Sequence, residues 1–234
     1  MKKSEQLLQQ VKNGYNKISE HFSQTRYKPW DEFKLFKEYI RDGQKILDLG
    51  CGNGRLYKFL KDQNLNVDYY GLDNAEKLIS ICKEKYPEVA DRFKVGEIFK
   101  LPYDESQFDV VICIATFHHL SDYTQRINTL EQVRRVLKPG GYLLMTNWHL
   151  WHRPFLKYFF SQFRQKVSRK DLIFPWKSAD GQVQCQRYYH AFTKGELKRL
   201  FKKSNFKIEK IFLHQNSLKK ESGRGIDVVT IVRK

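Results

Sequence analysis

Apolar positions along the chain switch repeatedly between two periods. Over residues 4–24 and 31–41 they recur at helical spacing. The segment Arg26-Tyr27-Lys28-Pro29-Trp30 divides the two, because proline turns the residue before it away from helix and Asp31 can cap the next one. Short apolar runs then alternate with amphipathic stretches. They predict strands over Lys45–Leu49, Val67–Leu72, Phe93–Val95, Phe108–Ile114 and Tyr142–Asn147. Helices are predicted over Arg55–Gln63, Ala75–Tyr86 and Asp122–Leu137, the last stopped by Pro139-Gly140-Gly141. Phe108–Ile114 is apolar almost throughout, as expected of a central parallel strand covered on both faces. Strands alternating with helices imply βαβ units and a parallel sheet wound on both faces, an α/β fold.

The C-terminal third changes character. Leu150 to Gly225 holds 18 Lys+Arg against 5 Asp+Glu, so most of the chain's net charge of +17 lies there. Within it, Phe155–Phe163 and Thr193–Lys203 read as amphipathic helices, and Ile208–His214 and Val228–Val232 as a last strand pair joined by a Lys/Gly-rich turn. The 234 residues are thus expected to form one domain in four parts. These are an N-terminal helical cover (1–44), a cofactor-binding core (45–149), a basic insertion and helix (150–206), and the final strands (207–234).

Composition narrows the function classes. Hydrophobic residues at 41% and aromatics at 15% supply a core and exclude a disordered chain. The positive excess attracts polyanions, whether nucleic acid or an anionic membrane surface. Aromatics interleave with the charge (Trp151, Phe155, Tyr158, Phe159, Phe163, Phe174, Trp176), which favours unpaired RNA bases, although residues 151–170 also suit a membrane interface. No apolar leader and no run of about 20 apolar residues occurs, so no integral membrane segment is expected. Cys51, Cys82, Cys113 and Cys185 are far apart without a CxxC pair, which points to a reducing cytoplasm and to no metal site.

The main chemical clue is Ile46-Leu47-Asp48-Leu49-Gly50-Cys51-Gly52-Asn53-Gly54. An apolar strand enters a loop of three glycines, where backbone can approach a ligand that any side chain would block, and a helix follows. The spacing GxGxG, rather than GxGxxG, with Asp48 ahead of it suits a ligand presenting carboxylate and ammonium rather than phosphate; a tight turn alone is the competing reading. Asp73 ends the next strand, where a carboxylate would accept both ribose hydroxyls of an adenosyl group. Glu97, after the third strand, either receives the adenine amino group or is a solvated loop residue.

With these residues in place, the chain resembles the class I S-adenosylmethionine-dependent methyltransferases. The likeness covers the glycine loop, Leu72-Asp73, Phe108-Asp109-Val110-Val111-Ile112-Cys113 and Arg135-Val136-Leu137-Lys138-Pro139-Gly140-Gly141. It implies a Rossmann-like seven-stranded, mostly parallel sheet with one antiparallel strand near its edge, and S-adenosylmethionine as cofactor. Tyr15, Asp48, Gly50, Cys51, Gly52, Asp73, Asn74, Glu97, Ile98 and Ile114 form the expected cofactor set. Three further segments are similar to the tRNA wobble-uridine carboxymethyl methyltransferases: the stretch Tyr15 to Trp30, Ile114-Ala115-Thr116-Phe117-His118-His119-Leu120, and the stretch Arg187 to Leu197. That family implies esterification of 5-carboxymethyluridine in tRNA and, in eukaryotic members, a small zinc-binding adaptor subunit. A small-molecule or lipid methyltransferase with the same cofactor pocket is the alternative.

Methyl transfer to a carboxylate needs no general base, because a group with a pKa near ~4 is already ionised. It needs an anion held in line, a task suited to arginine. Arg26 is the first candidate clamp, with stacking on Trp30 as its bland alternative; Arg187, Tyr188 and His190 form the second cluster, with ordinary packing as theirs. His118 and His119 follow the fourth strand; adjacent histidines without a third ligand make a poor metal site, so one is expected to line the acceptor pocket and the other to pack. Trp148 ends the fifth strand, where its indole would stack on a flipped base or pack in the core. The catalytic candidates are therefore Arg26, His118, Arg187 and His190, and the substrate-binding ones Arg26, Trp30, His119, Trp148 and Tyr188.

Overall fold

The computed structural model describes residues 2–151, 155, 159, 169–178, 180–215 and 226–234. Helix α1 (Lys3–Thr25) is followed by α2 (Asp31–Lys37), which is shorter than its apolar pattern predicts. Bonds from Tyr39 N to Phe36 O and from Ile40 N to Lys37 O tighten the chain there and turn Ile40 into the core. Strands β1 (Lys45–Leu49), β2 (Asp68–Asp73), β3 (Phe93–Val95), β4 (Phe108–Ile114) and β5 (Leu137–Trp148) alternate with α3 (Arg55–Asp62), α4 (Glu76–Lys85) and α5 (Tyr123–Val136). Asp122 caps α5, accepting from Thr124 N at 2.7 Å and Gln125 N at 3.2 Å. A hairpin, β6 (Asp171–Lys177) and β7 (Val183–His190), precedes α6 (Lys194–Lys203), β8 (Lys207–Gln215) and β9 (Ile226–Arg233).

Seven strands form one sheet in the order β3-β2-β1-β4-β5-β9-β8, with the first five parallel and β9 antiparallel to both neighbours. The expected doubly wound sheet with one reversed strand is therefore present. Successive residues of its central strands point to opposite faces. Leu47, Leu49, Val111, Cys113, Leu143 and Met145 pack with Leu130, Val133, Leu197 and Phe201 of α5 and α6. Ile46, Val110, Ile112 and Leu144 pack with Phe33, Phe36, Leu56, Phe59 and Ile79 of α2, α3 and α4. Strand order reverses between β1 and β4, and the crevice this opens at the carboxyl ends of the strands is where such sheets bind ligands.

Two local readings are corrected. The fifth strand begins at Leu137 rather than Tyr142, so Pro139-Gly140-Gly141, which follows the end of α5, lies within β5, where the register slips between Phe108↔Leu137 and Val110↔Tyr142. The β6–β7 hairpin stands in a stretch for which no strands were predicted. Asp171-Leu-Ile-Phe-Pro-Trp-Lys177 is apolar at both parities and carries Pro175, which a two-stranded ribbon tolerates. Apart from Phe155 and Phe159, the predicted helix Phe155–Phe163 lies outside the described residues, as does the Lys/Gly-rich turn between β8 and β9. Among the described residues no helix is long and apolar enough to cross a membrane, and no cluster of His, Cys, Asp and Glu is arranged to hold a metal.

Candidate functional site

A cleft of about 1120 Å³ opens at the reversal point of the sheet. Its floor is the β1–α3 glycine loop with the ends of β2 and β4; its roof is α1 and the β6–β7 hairpin. The loop has to be glycine. At φ +75° Gly50 sits in the left-handed region, and a Cβ there would stand 2.1 Å from Thr116 Oγ1. Gly52, at φ +56°, turns its N–H onto Asp73 Oδ2 at 2.9 Å.

The buried Asp48 and the half-buried Asp73 and Glu97 line this floor. Asp73 Oδ2 accepts from Gly52 N and its Oδ1 from Ala75 N, both at 2.9 Å, and the Asn74 backbone N–H adds a third donor to the carboxylate. Burial raises the Asp73 carboxyl in spite of those bonds. Asp48 accepts from the Tyr69 hydroxyl at 2.8 Å, and burial pushes its carboxyl up to about 7. Asn74 Nδ2 donates to Glu97 at 3.3–3.4 Å, and burial raises Glu97 as well. An adenosyl sulfonium fits this donor set. Asp73 lies on the cleft wall where its carboxylate can accept from a ribose hydroxyl, Glu97 can accept from an amino group, and the anionic floor suits a cation.

The roof carries the opposite charge. Arg187, 6% exposed, lies over the rings of Trp176 at 4.8 Å, Tyr189 at 5.4 Å and Tyr15 at 5.6 Å. It donates from Nη1 to the Tyr15 hydroxyl at 3.3 Å. Its Nε–H is buried without a hydrogen-bond partner among the described residues. His119 Nδ1 lies 2.7 Å from the Tyr188 carbonyl, which can only accept, so Nδ1 carries the proton and Nε2 accepts from Tyr15 at 3.1 Å. Burial holds His119 down at about 3, so the ring is neutral at physiological pH. Arginine, tyrosine, histidine and main-chain carbonyl thus form one chain of hydrogen bonds with every direction fixed.

Every residue of the expected cofactor set lies on the cleft wall, as do Arg26, Trp30, His119, Trp148 and Arg187. His118, His190 and Tyr188 do not. His118 is fully buried beside Trp148 and Tyr189, with Nδ1 accepting from Trp148 N at 3.3 Å. His190 is fixed between Asp171 at 2.6 Å and Glu196 at 2.8 Å, away from the cleft. Along β7 the side chains alternate, so Tyr189 meets His119 and Trp148 while the buried Tyr188 ring turns toward Asp171 and Arg126. Tyr188 contributes its carbonyl only. Arg26 lies over Trp176 at 4.9 Å rather than Trp30, whose ring takes Arg55 at 4.8 Å. Trp148 is already stacked on Tyr189, with ring centroids 4.9 Å and planes 13° apart, so it forms a wall rather than an open platform.

Sequence reasoning did not assign Arg55, Thr116, Phe22 or Trp176 to the site, though all four line it. Arg55 carried a readable signal. It opens a helix directly after the glycine loop, where the helix dipole disfavours a cation.

Comparison with known proteins agrees with this geometry. Residues 47–145 match the family model described as a methyltransferase domain. The tRNA (carboxymethyluridine(34)-5-O)-methyltransferase of Schizosaccharomyces pombe is 32% identical over 212 residues, covering 80% of this chain and 83% of that protein. The protein of the same description from Arabidopsis thaliana is 40% identical over 134 residues, which cover 57% of this chain but 31% of that longer protein. A SAM-dependent methyltransferase from Methanosarcina mazei superposes with a TM-score of 0.71 at 24% identity, covering 86% of this chain and 96% of the other. With one relative aligned over most of both lengths, the chain belongs to the tRNA (carboxymethyluridine(34)-5-O)-methyltransferase family.

Proposed function

We propose that this protein transfers a methyl group from S-adenosylmethionine to the carboxylate of a wobble 5-carboxymethyluridine in tRNA. The bound donor supplies an electrophilic methyl on sulfonium. Asp48, Asp73, Asn74 and Glu97 with the glycine loop would hold it, and the protein's remaining work is to orient an anion. The observation that carries the reading is Arg187, a buried cation facing the cleft with an unsatisfied Nε–H and no carboxylate partner among the described residues. A buried donor left open is costly unless a ligand completes it, and a guanidinium matches a carboxylate in bidentate fashion.

His119 is neutral, donating from one ring nitrogen and accepting at the other, so it is not placed to remove a proton. A carboxylate acceptor needs no proton removed. Holding it in line with the methyl supplies ~7–11 kcal/mol of the barrier in a well-organised site. The basic segment 150–225 and the family likeness favour an RNA carrier for that carboxylate. A small adaptor subunit and a cytoplasmic setting belong to the same proposal, the latter supported by four free cysteines.

The test is incubation with labelled donor and tRNA bearing 5-carboxymethyluridine, followed by digestion to nucleosides. A labelled methyl ester of that nucleoside is expected. Its absence at low salt, with donor binding intact, would overturn the acceptor assignment.

A further inference from the structure

Three arginines share the cleft wall, and none is paired. Among the described residues no carboxylate stands within ion-pairing distance of Arg26, Arg55 or Arg187. They also repel one another. Burial and the neighbouring Arg26 pull the Arg55 guanidinium down to about 10, and Arg26 is lowered in turn by burial and by Arg187. Arg55 stands besides at the N-terminus of α3, against the helix dipole, and Gly54 before it gives no side-chain cap. Its charge is tolerated on the rings of Trp30 at 4.8 Å and Phe22 at 5.8 Å.

Such a row is unfavourable until anions enter it. The acceptor carboxylate satisfies the Arg187 end and leaves Arg26 without a carboxylate partner among the described residues and Arg55 with only the attraction of Asp48, which lies beyond ion-pairing distance. At that other end the wall opens on Tyr27. Of the exposed large apolar side chains among the described residues (Tyr27, Val95, Tyr123, Val183, Leu213), Tyr27 is the one that lines the cleft, and 59% of it is exposed. Lys28 Nζ lies 6.0 Å from its ring centroid. A solvent-exposed aromatic ring beside cations is the arrangement by which proteins hold an unpaired base and its phosphate.

We propose that the lip of the cleft is a flanking-nucleotide subsite: Tyr27 stacks an unpaired base next to the methylated uridine, and Arg55 with Arg26 takes the phosphate that joins the two nucleotides. The inference rests on the tRNA reading above and deepens it. The enzyme then recognises its acceptor as a strand, and an isolated nucleoside is a poor substrate because two of its contacts are missing.

The test compares an anticodon stem–loop bearing 5-carboxymethyluridine with the free modified nucleoside, using wild type, Tyr27→Ala, Tyr27→Phe and Arg55→Gln. Loss of one stacked base corresponds to about five- to 150-fold in affinity. Tyr27→Ala is expected to raise KM for the stem–loop by that factor with kcat held, and Tyr27→Phe to restore it. Arg55→Gln is expected to raise the same KM and to remove the penalty of replacing the adjoining phosphate by a neutral methylphosphonate. Wild-type KM values for Tyr27→Ala and Arg55→Gln would overturn the subsite. So would a loss of S-adenosylmethionine affinity in Arg55→Gln by calorimetry, since Arg55 would then serve the donor's own carboxylate. Failure of the wild type to methylate the stem–loop at all is a different result, which removes the acceptor assignment itself.

Discussion

Asp48 sets donor affinity and fold stability against each other, and replacement by asparagine separates them. The carboxyl is 4% exposed, and burial pushes it up to about 7 even with the Tyr69 hydroxyl donating to it. A carboxyl raised in the folded state keeps a proton that the unfolded chain has released. Stability from this group is therefore fully present below pH ~4 and is lost as pH rises through about 7. Donor binding carries the reverse sign, because only ionised Asp48 attracts the sulfonium and ammonium. With a midpoint at about 7, the ionised fraction grows roughly sixteenfold between pH ~5.5 and ~7.0, or ~1.6 kcal/mol of binding. Calorimetric Kd values for the wild type should fall by about that factor across this window. Asp48→Asn should bind the donor more weakly at neutral pH, with no such trend. It should nevertheless melt at a higher temperature near pH 8, since the amide still accepts from Tyr69 and no charge is buried. Parallel pH trends in the two proteins, or a variant that melts lower near pH 8, would refute the reasoning.

Other expectations follow from the roof. Arg187→Gln should lower kcat/KM by about 10²–10³, the scale of losing a buried charge-assisted contact, with donor Kd unchanged. Tyr15→Phe, which removes the link between Arg187 and His119, should cost about tenfold in steady-state kcat/KM. With saturating donor, single-turnover rates should vary less than about threefold from pH ~6 to ~9, because His119 stays neutral and the acceptor stays ionised. His190→Gln, which breaks the bridge between Asp171 and Glu196, should lose ~1–3 kcal/mol in thermal or urea unfolding while kcat holds.

The core of the fold was legible because its strands are short, apolar and separated by amphipathic helices, as β4 and the Asp122-capped α5 show. The donor floor was legible for a related reason. Its ligating groups come from the loop after β1 and the ends of β2 and β3, so sequence order already places them on one edge. The acceptor side was less readable, because it is assembled from distant parts. Arg187 meets Tyr15 across 172 residues of sequence, and Tyr15 links it to His119, through a hairpin whose apolar residues fall on both parities. Which member of an adjacent pair meets the Arg187–His119 side depends on the pleat of β7 and on the short turn after β4. Sequence alone could not separate Tyr188 from Tyr189, or His118 from His119.

A carboxylate acceptor makes an ester, and esters differ chemically from every other methylated position on a nucleoside. The most direct measurement is therefore the alkali lability of label transferred from methyl-labelled S-adenosylmethionine to carboxymethylated tRNA. Release of the label as methanol in mild base, with 5-carboxymethyluridine recovered, is the expected result. Label that stays on the nucleoside through the same treatment would contradict it.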